Sequence, residues 1–295
     1  MWSLFQCVCP NCVKPDELKS WHSMRLGPPL MKLRLVIAYD GTAFRGWQSQ
    51  RHGHTVQDGL EEVLARIAGE RIIIHGSGRT DAGVHALGQV IHFELSPEQA
   101  ARLHRLDDPS RWMAALNAWL PPTIRVMKAA RGSKDFHARF SASGKIYRYG
   151  IWHAPVMPPH LYNRAWHLYG KLDYAVIHQL CALSEGSHDF RGFCANSSSL
   201  PEETIRTLRR VTLHKRGSAL SITLEGNGFL YRMVRMLVGA MVQVAQGKKT
   251  INEFQDRLAA GKPWPTPAMA PADGLYLVKA LYGKKEKSAE YDSLA

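Results

Sequence analysis

The sequence predicts an α+β protein of two related halves, each a mixed or antiparallel sheet backed by helices, with a functional cleft between them. Three observations carry this expectation. Runs of alternating apolar residues read as strands. Runs of apolar residues at helical spacing, several with recognisable caps, read as helices. Strand-helix-strand modules appear twice, mixed with hairpins, as an α+β layering requires. No internal repeat is strong enough to prove a duplication.

Taken in order, Lys32–Tyr39 reads as a strand with Leu33, Leu35, Ile37 and Tyr39 on one face. Thr55 is a good N-cap with Asp58 in a capping-box position. Val56, Leu60, Val63, Leu64 and Ile67 then recur at helical spacing until Gly69 stops the helix. Arg71–His75 and Gln89–Leu95 read as strands. Ser96-Pro97-Glu98-Gln99 starts a helix with cap, first-turn proline and capping-box glutamine. Arg111–Leu120 forms a further short helix.

In the second half, Lys145–Trp152 is a strand with Tyr147, Tyr149 and Ile151 sharing a face. A helix follows from Asp173 with Ile177, Leu180 and Cys181. Leu208–His214 and Ala219–Glu225 are strands. A long apolar helix spans about Phe229 to Gln246, and Thr250–Glu253 caps another. A loop with Pro263, Pro265, Pro267 and Pro271 leads to a last strand, Leu275–Tyr282. Residues 1–30 show no periodicity and are expected to be a loose N-terminal extension. We divide the remainder into halves at 31–143 and 144–283, with 284–295 as a charged tail.

Composition narrows the function classes. The 295 residues carry a formal net charge of +13, which points to a polyanionic partner, RNA or DNA, ahead of a membrane surface. No run approaches the length of a membrane span, and no secretory signature opens the chain, so a cytoplasmic protein is expected. From Arg131 to Arg148, five basic residues (Arg131, Lys134, Arg139, Lys145, Arg148) face one acid, Asp135, with Phe136, Phe140 and Tyr147 interleaved. Basic groups track phosphates, and aromatic faces stack on unpaired bases. The five cysteines form no disulfide framework by count, and Cys7, Cys9 and Cys12 have no matching second cluster for a metal.

The segment Gly76-Ser77-Gly78-Arg79-Thr80-Asp81-Ala82-Gly83-Val84-His85 concentrates the chemistry. Its glycines permit sharp turns and close approach, and it joins two strands, where functional loops sit. Asp81 is suited to act as nucleophile, base or metal ligand. Arg79 is suited to grip a phosphate or insert into a stack. The plainer alternative is a glycine-rich turn holding an internal Arg–Asp pair. The apolar helix adds a second clue, because Arg232 and Arg235 lie within it. A buried guanidinium requires a partner, and an active-site carboxylate would serve. Alternatively, one arginine, Arg232 for instance, reaches the helix surface or backbone carbonyls.

The run from Gly76 through Ala86-Leu87-Gly88-Gln89 closely resembles the signature of the tRNA pseudouridine synthase A family. The resemblance extends from Met31 to Tyr282. It includes Tyr39-Asp40-Gly41 with Gly46-Trp47-Gln48, Asp135-Phe136-His137-Ala138-Arg139-Phe140-Ser141-Ala142, and Lys145-Ile146-Tyr147-Arg148-Tyr149. Asp189-Phe190, Thr204-Ile205-Arg206-Thr207, Met233-Val234-Arg235 and Gly274-Leu275-Tyr276-Leu277 follow in order. The resemblance implies the pseudouridine synthase fold and conversion of uridine to pseudouridine in the tRNA anticodon stem-loop, at positions 38, 39 and 40. It implies Asp81 as catalytic carboxylate, Tyr147 stacking on the target base and a candidate for proton removal, and Arg235 paired with Asp81. Arg79 would displace the uridine and Leu275 would wall the base. It further implies a homodimer with tRNA as partner, no metal and no organic cofactor. Two other classes stand beside this one: a non-catalytic RNA-binding protein, and a metal-dependent hydrolase. The second lacks another acid beside Asp81.

Overall fold

A computed structural model describes residues 31–194, 202–261, 264 and 269–283. The expectations for residues 1–30 with their cysteines, for Pro263, Pro265 and Pro267, and for the 284–295 tail lie outside the described residues. In the first strand, β1 (Met31–Tyr39), alternation is obeyed residue by residue: Leu33, Leu35, Ile37 and Tyr39 are buried and their neighbours are not. Burying each aliphatic side chain stabilises by about 1.5–3 kcal/mol relative to exposure.

The first helix, α1 (Val56–Ala68), has the full capping box. Thr55 Oγ1 accepts from Asp58 N, and the Asp58 carboxylate accepts from Thr55 N. It ends at Gly69, left-handed at φ 76°. The Arg71–His75 segment departs from expectation. Only β2 (His75–Gly76) pairs, against β3 (His85–Leu95). Ile72 and Ile74 are buried, yet the Ile74 amide donates to the buried Glu61 carboxylate (3.4 Å) where a ladder bond would have been. Short α2 (Pro97–Arg102) and then α3 (Pro109–Trp119), capped by Asp108, follow. The strand β4 (Ile124–Arg131) was not anticipated; only Ile124 and Val126 are buried.

The second half runs β5 (Ala142–His153), β6 (Trp166–Leu168), α4 (Tyr174–Ser184), β7 (Gly186–Asp189), β8 (Ile205–Arg216), β9 (Ala219–Gly226), α5 (Met233–Ala245), α6 (Ile251–Ala260) and β10 (Leu275–Tyr282). The strands form a single ten-stranded sheet in the order β4-β1-β3-β10-β5-β9-β8-β7, with β2 attached to β3 and β6 to β5. Pairing is antiparallel except for β10 with β3 and β6 with β5. The last strand thus joins the two sets of strands, lying between β3 and β5. Helix α3 packs on β4 and α1, while α4 packs on β8 and α5. One apolar core runs beneath both sets of helices.

Helix α5 is apolar on nearly every face, and all its residues except Gln243 are buried. It starts four residues later than its hydrophobicity suggests. Arg232 adopts the left-handed conformation (φ 57°, ψ 12°), which turns the preceding Phe229–Tyr231 away from the helix axis. A non-glycine residue held there costs about 1–3 kcal/mol, a strain that tends to collect at functional sites.

Candidate active site

The loop after β2 is fastened from several sides. The Ser77 amide donates to Val90 O (2.8 Å). Gln89, fully buried in β3, accepts from the Ser77 hydroxyl and donates through Nε2 to Gly78 O (2.7 Å). The Thr80 carbonyl accepts from the Trp47 amide (3.1 Å), and its hydroxyl shares a hydrogen bond with the Tyr39 phenol (2.8 Å). Beyond it, the Val84 amide donates to Asp81 O (3.2 Å) across a turn that needs Gly83 at φ 79°. Asp81 is therefore presented on a fixed backbone.

The Asp81 carboxylate lies against the first turn of α5. Arg235 Nη1 donates to Asp81 Oδ2 at 3.0 Å, and Arg232 Nε lies 3.6 Å from the same oxygen. Among the described residues no donor reaches Oδ1. Arg235 is buried, with Nε donating to Ala270 O (2.9 Å), while the Ala270 amide donates back to Arg235 O (3.0 Å). The carboxylate side chain is 18% exposed, and its Oδ2 is neutralised from the interior. Arg79 does not pair with Asp81, which sets aside the simple turn with an internal Arg–Asp pair. Its exposed guanidinium donates through Nε to Gln48 Oε1 (3.2 Å). Arg232 is 35% exposed, with its guanidinium over the Tyr231 ring (4.8 Å), and its Nε comes within ion-pair distance of the same carboxylate without a hydrogen bond.

These groups open on a cleft of about 1410 Å³ lined by Arg79, Asp81, Tyr147, Phe229, Arg232 and Leu275. The Tyr147 ring meets Phe229 edge-on at 4.9 Å. Burial, with smaller contributions from Tyr39 and the Asp81 charge, raises the Tyr147 phenol well above its ordinary pKa. The phenol stays protonated at neutral pH. Leu275 is buried opposite Tyr149 in the β10–β5 pair. On the rim, Phe140 is 77% exposed, its ring against His137 (4.4 Å) and the Arg139 guanidinium (5.7 Å). Among the described residues Asp81 is the only acid lining the cleft, and no group of three or more His, Cys, Asp or Glu side chains is placed to hold a metal.

A family model described as tRNA pseudouridine synthase matches residues 35–141 and 180–283. The tRNA pseudouridine synthase A of Akkermansia muciniphila is 42% identical over 259 residues, covering 86% of this chain and 96% of the relative. The chain belongs to the tRNA pseudouridine synthase family. Another relative, tRNA pseudouridine synthase A of Geobacillus kaustophilus, is 41% identical, covering 85% of this chain and 94% of its own length. Among solved structures, an H/ACA RNP bound to a substrate RNA containing 2′-deoxyuridine aligns with 72% of this chain and 43% of its own. At 12% identity and a TM-score of 0.34, that likeness is too slight to bear on the site.

In this tRNA pseudouridine synthase the cleft brings together four of the five expected site residues, Asp81, Tyr147, Arg79 and Leu275, with Arg235 directly behind Asp81. The sequence assigned no site role to Phe229, named Lys145 only among the basic residues suited to track phosphates, and left Arg232 with an alternative at the helix surface. The signal for Phe229 and Arg232 is their place just before an apolar helix. The signal for Lys145 is its spacing of two from Tyr147, which places both on one face of a strand.

Proposed function

We propose that the protein isomerises uridine to pseudouridine in the anticodon stem-loop of tRNA, at positions 38, 39 and 40, with Asp81 as the catalytic carboxylate. The observation that carries this is the Asp81 carboxylate itself. One of its oxygens is bound by Arg235, the other has no donor among the described residues, and both stand in a basic, aromatic cleft of a pseudouridine synthase family member. The target atoms of a uridine lie hidden in the stack, so the base must first be extruded, at a cost of a few kcal/mol. Contacts from basic residues to phosphates offset that cost.

The reaction breaks the N1–C1′ bond, turns the uracil, and forms the C5–C1′ bond. A proton leaves C5 and N1 takes one up, so atoms and electrons balance within the nucleoside. A carboxylate oxygen free of donors is suited to bond carbon or to accept a proton. The pairing with Arg235 and Arg232 supports an anionic Asp81. The protonated, buried Tyr147 supports a stacking role beneath the uracil, with Leu275 as apolar wall. Arg79, exposed at the mouth and tied among the described residues to Gln48 alone, is free to swing into the space that the uridine leaves.

In this proposal residues 31–143 supply the Asp81 loop and residues 144–283 supply Tyr147, Arg235 and Leu275. The enzyme is a cytoplasmic homodimer that needs no metal or organic cofactor, as the family resemblance implies. No helix among the described residues is long and apolar enough to cross a membrane. Purified protein incubated with an unmodified tRNA transcript, without any cofactor, should yield pseudouridine at positions 38 to 40 by position-resolved mapping. A transcript recovered unchanged would overturn the proposal.

A further inference from the structure

Lys145 lies in the cleft but belongs to none of the interactions described so far. It leaves β5 two residues before Tyr147, and the pairing of β5 with β9 is unbroken from Lys145 to Trp152, so both side chains project from the same face. Its Nζ lines the cleft beside the Asp81 loop. A methyl group placed on Gly78, three residues before Asp81, would sit 2.9 Å from it.

No carboxylate answers this ammonium. Among the described residues it makes no hydrogen bond or ion pair. The only acid in the cleft, Asp81, is already engaged by Arg235 and Arg232. The charged group close enough to act on it is another cation, Arg139 on the cleft rim. Burial and that repulsion both push the Lys145 amine below its ordinary pKa. A half-buried cation beside a second one on the exposed rim, without a counter-ion, is unfavourable until an anion enters.

Resting on the function proposed above, the anion that reaches this cleft is RNA backbone. We propose that Lys145, together with Arg139, binds the phosphodiester bordering the extruded uridine. The contact holds the nucleotide in its flipped position while Tyr147 and Leu275 enclose the base. A single phosphate between the two side chains satisfies both cations with charge-assisted hydrogen bonds.

The test uses Lys145→Met, which keeps the length and apolar stem of the side chain, and Lys145→Arg, which keeps the charge. Binding of an unmodified tRNA is measured across a potassium chloride series. Pseudouridine is scored in the same samples, and melting temperature controls for folding. Lys145→Met is expected to weaken binding about tenfold and to make the slope of log Kd against log salt shallower by about 0.7–0.9, the signature of one lost phosphate contact. Lys145→Arg should restore the slope. An anticodon stem-loop with a neutral methylphosphonate at the bordering phosphate should bind the wild type more weakly. It should weaken Lys145→Met less than the wild type, by only the share of the contact that Arg139 keeps. An unchanged salt slope, or a methylphosphonate effect of the same size in both proteins, overturns the contact. Failure of the functional reading looks different: the slope changes as described but the wild type makes no pseudouridine.

Discussion

Replacing Arg235 by methionine isolates the pair that holds Asp81. The substitution removes the 3.0 Å bond to Asp81 Oδ2 and the Nε donor to Ala270 O, leaving only Arg232 Nε at 3.6 Å from the carboxylate. Breaking a fully buried ion pair costs about 3–5 kcal/mol, because the orphaned charge remains in place. Here Asp81 keeps 18% exposure and one cationic neighbour, so we expect a loss below that range, about 2–3 kcal/mol. For a chain of this size that lowers the melting temperature by about 3–5 °C. Removing the carboxylate as well relieves the orphaned charge. The double variant Arg235→Met/Asp81→Ala should therefore be more stable than the sum of the two single losses by about 1–2 kcal/mol. Urea unfolding of the four proteins of this cycle gives the coupling directly. Losses that add to within about 0.5 kcal/mol would show that the two side chains do not act as a pair, and would refute the interior neutralisation of Asp81.

Two other perturbations follow from the same geometry. His92 is buried, its Nδ1 accepts from the Ala138 amide (3.1 Å), and burial, aided by His137, His75 and Lys32 against the opposing Glu94, lowers its pKa to about 4. Between about pH 6.5 and 4 the unfolded chain therefore binds a proton that the folded chain refuses. Stability present at pH 7 falls as pH drops through that window, by up to about 3 kcal/mol. His92→Asn keeps an acceptor without the titration, so its urea midpoint should fall less than that of the wild type between pH 7 and pH 4.5. At the cleft rim, Phe140→Ala removes a ring that is 77% exposed and supports nothing above it. It should weaken tRNA affinity by about 1–3 kcal/mol, the range for one base–aromatic stack, while leaving the melting temperature unchanged.

Much of this was legible because it is written in short-range chemistry. The alternation of Leu33, Leu35 and Ile37, the Thr55–Asp58 capping box and the stop at Gly69 are local rules obeyed locally. That an arginine in the apolar helix needs an anionic partner could be anticipated from the charge itself, whereas the specific Arg235–Asp81 pair was implied by the family resemblance. What stayed hidden depended on neighbours distant in sequence. The strand β4 is an edge with only two buried side chains, so its basic residues mask its period. Ile72 and Ile74 are strand-like by type, but the Glu61 carboxylate takes the Ile74 amide and ends the ladder. The true start of α5 rests on a left-handed arginine, a conformation that no hydrophobic pattern reports. The joining of both sets of strands through β10 is likewise a long-range pairing, of a terminal strand with β3 and β5.

The central claim is that one carboxylate in a basic cleft performs the isomerisation while the surrounding cations hold the RNA. Asp81→Asn, compared with wild type on the same unmodified tRNA, tests it most directly, with equilibrium binding and single-turnover product formation measured side by side. The account predicts that the variant binds tRNA with affinity close to wild type and forms no pseudouridine. Pseudouridine appearing at the wild-type rate in the Asp81→Asn protein would contradict it.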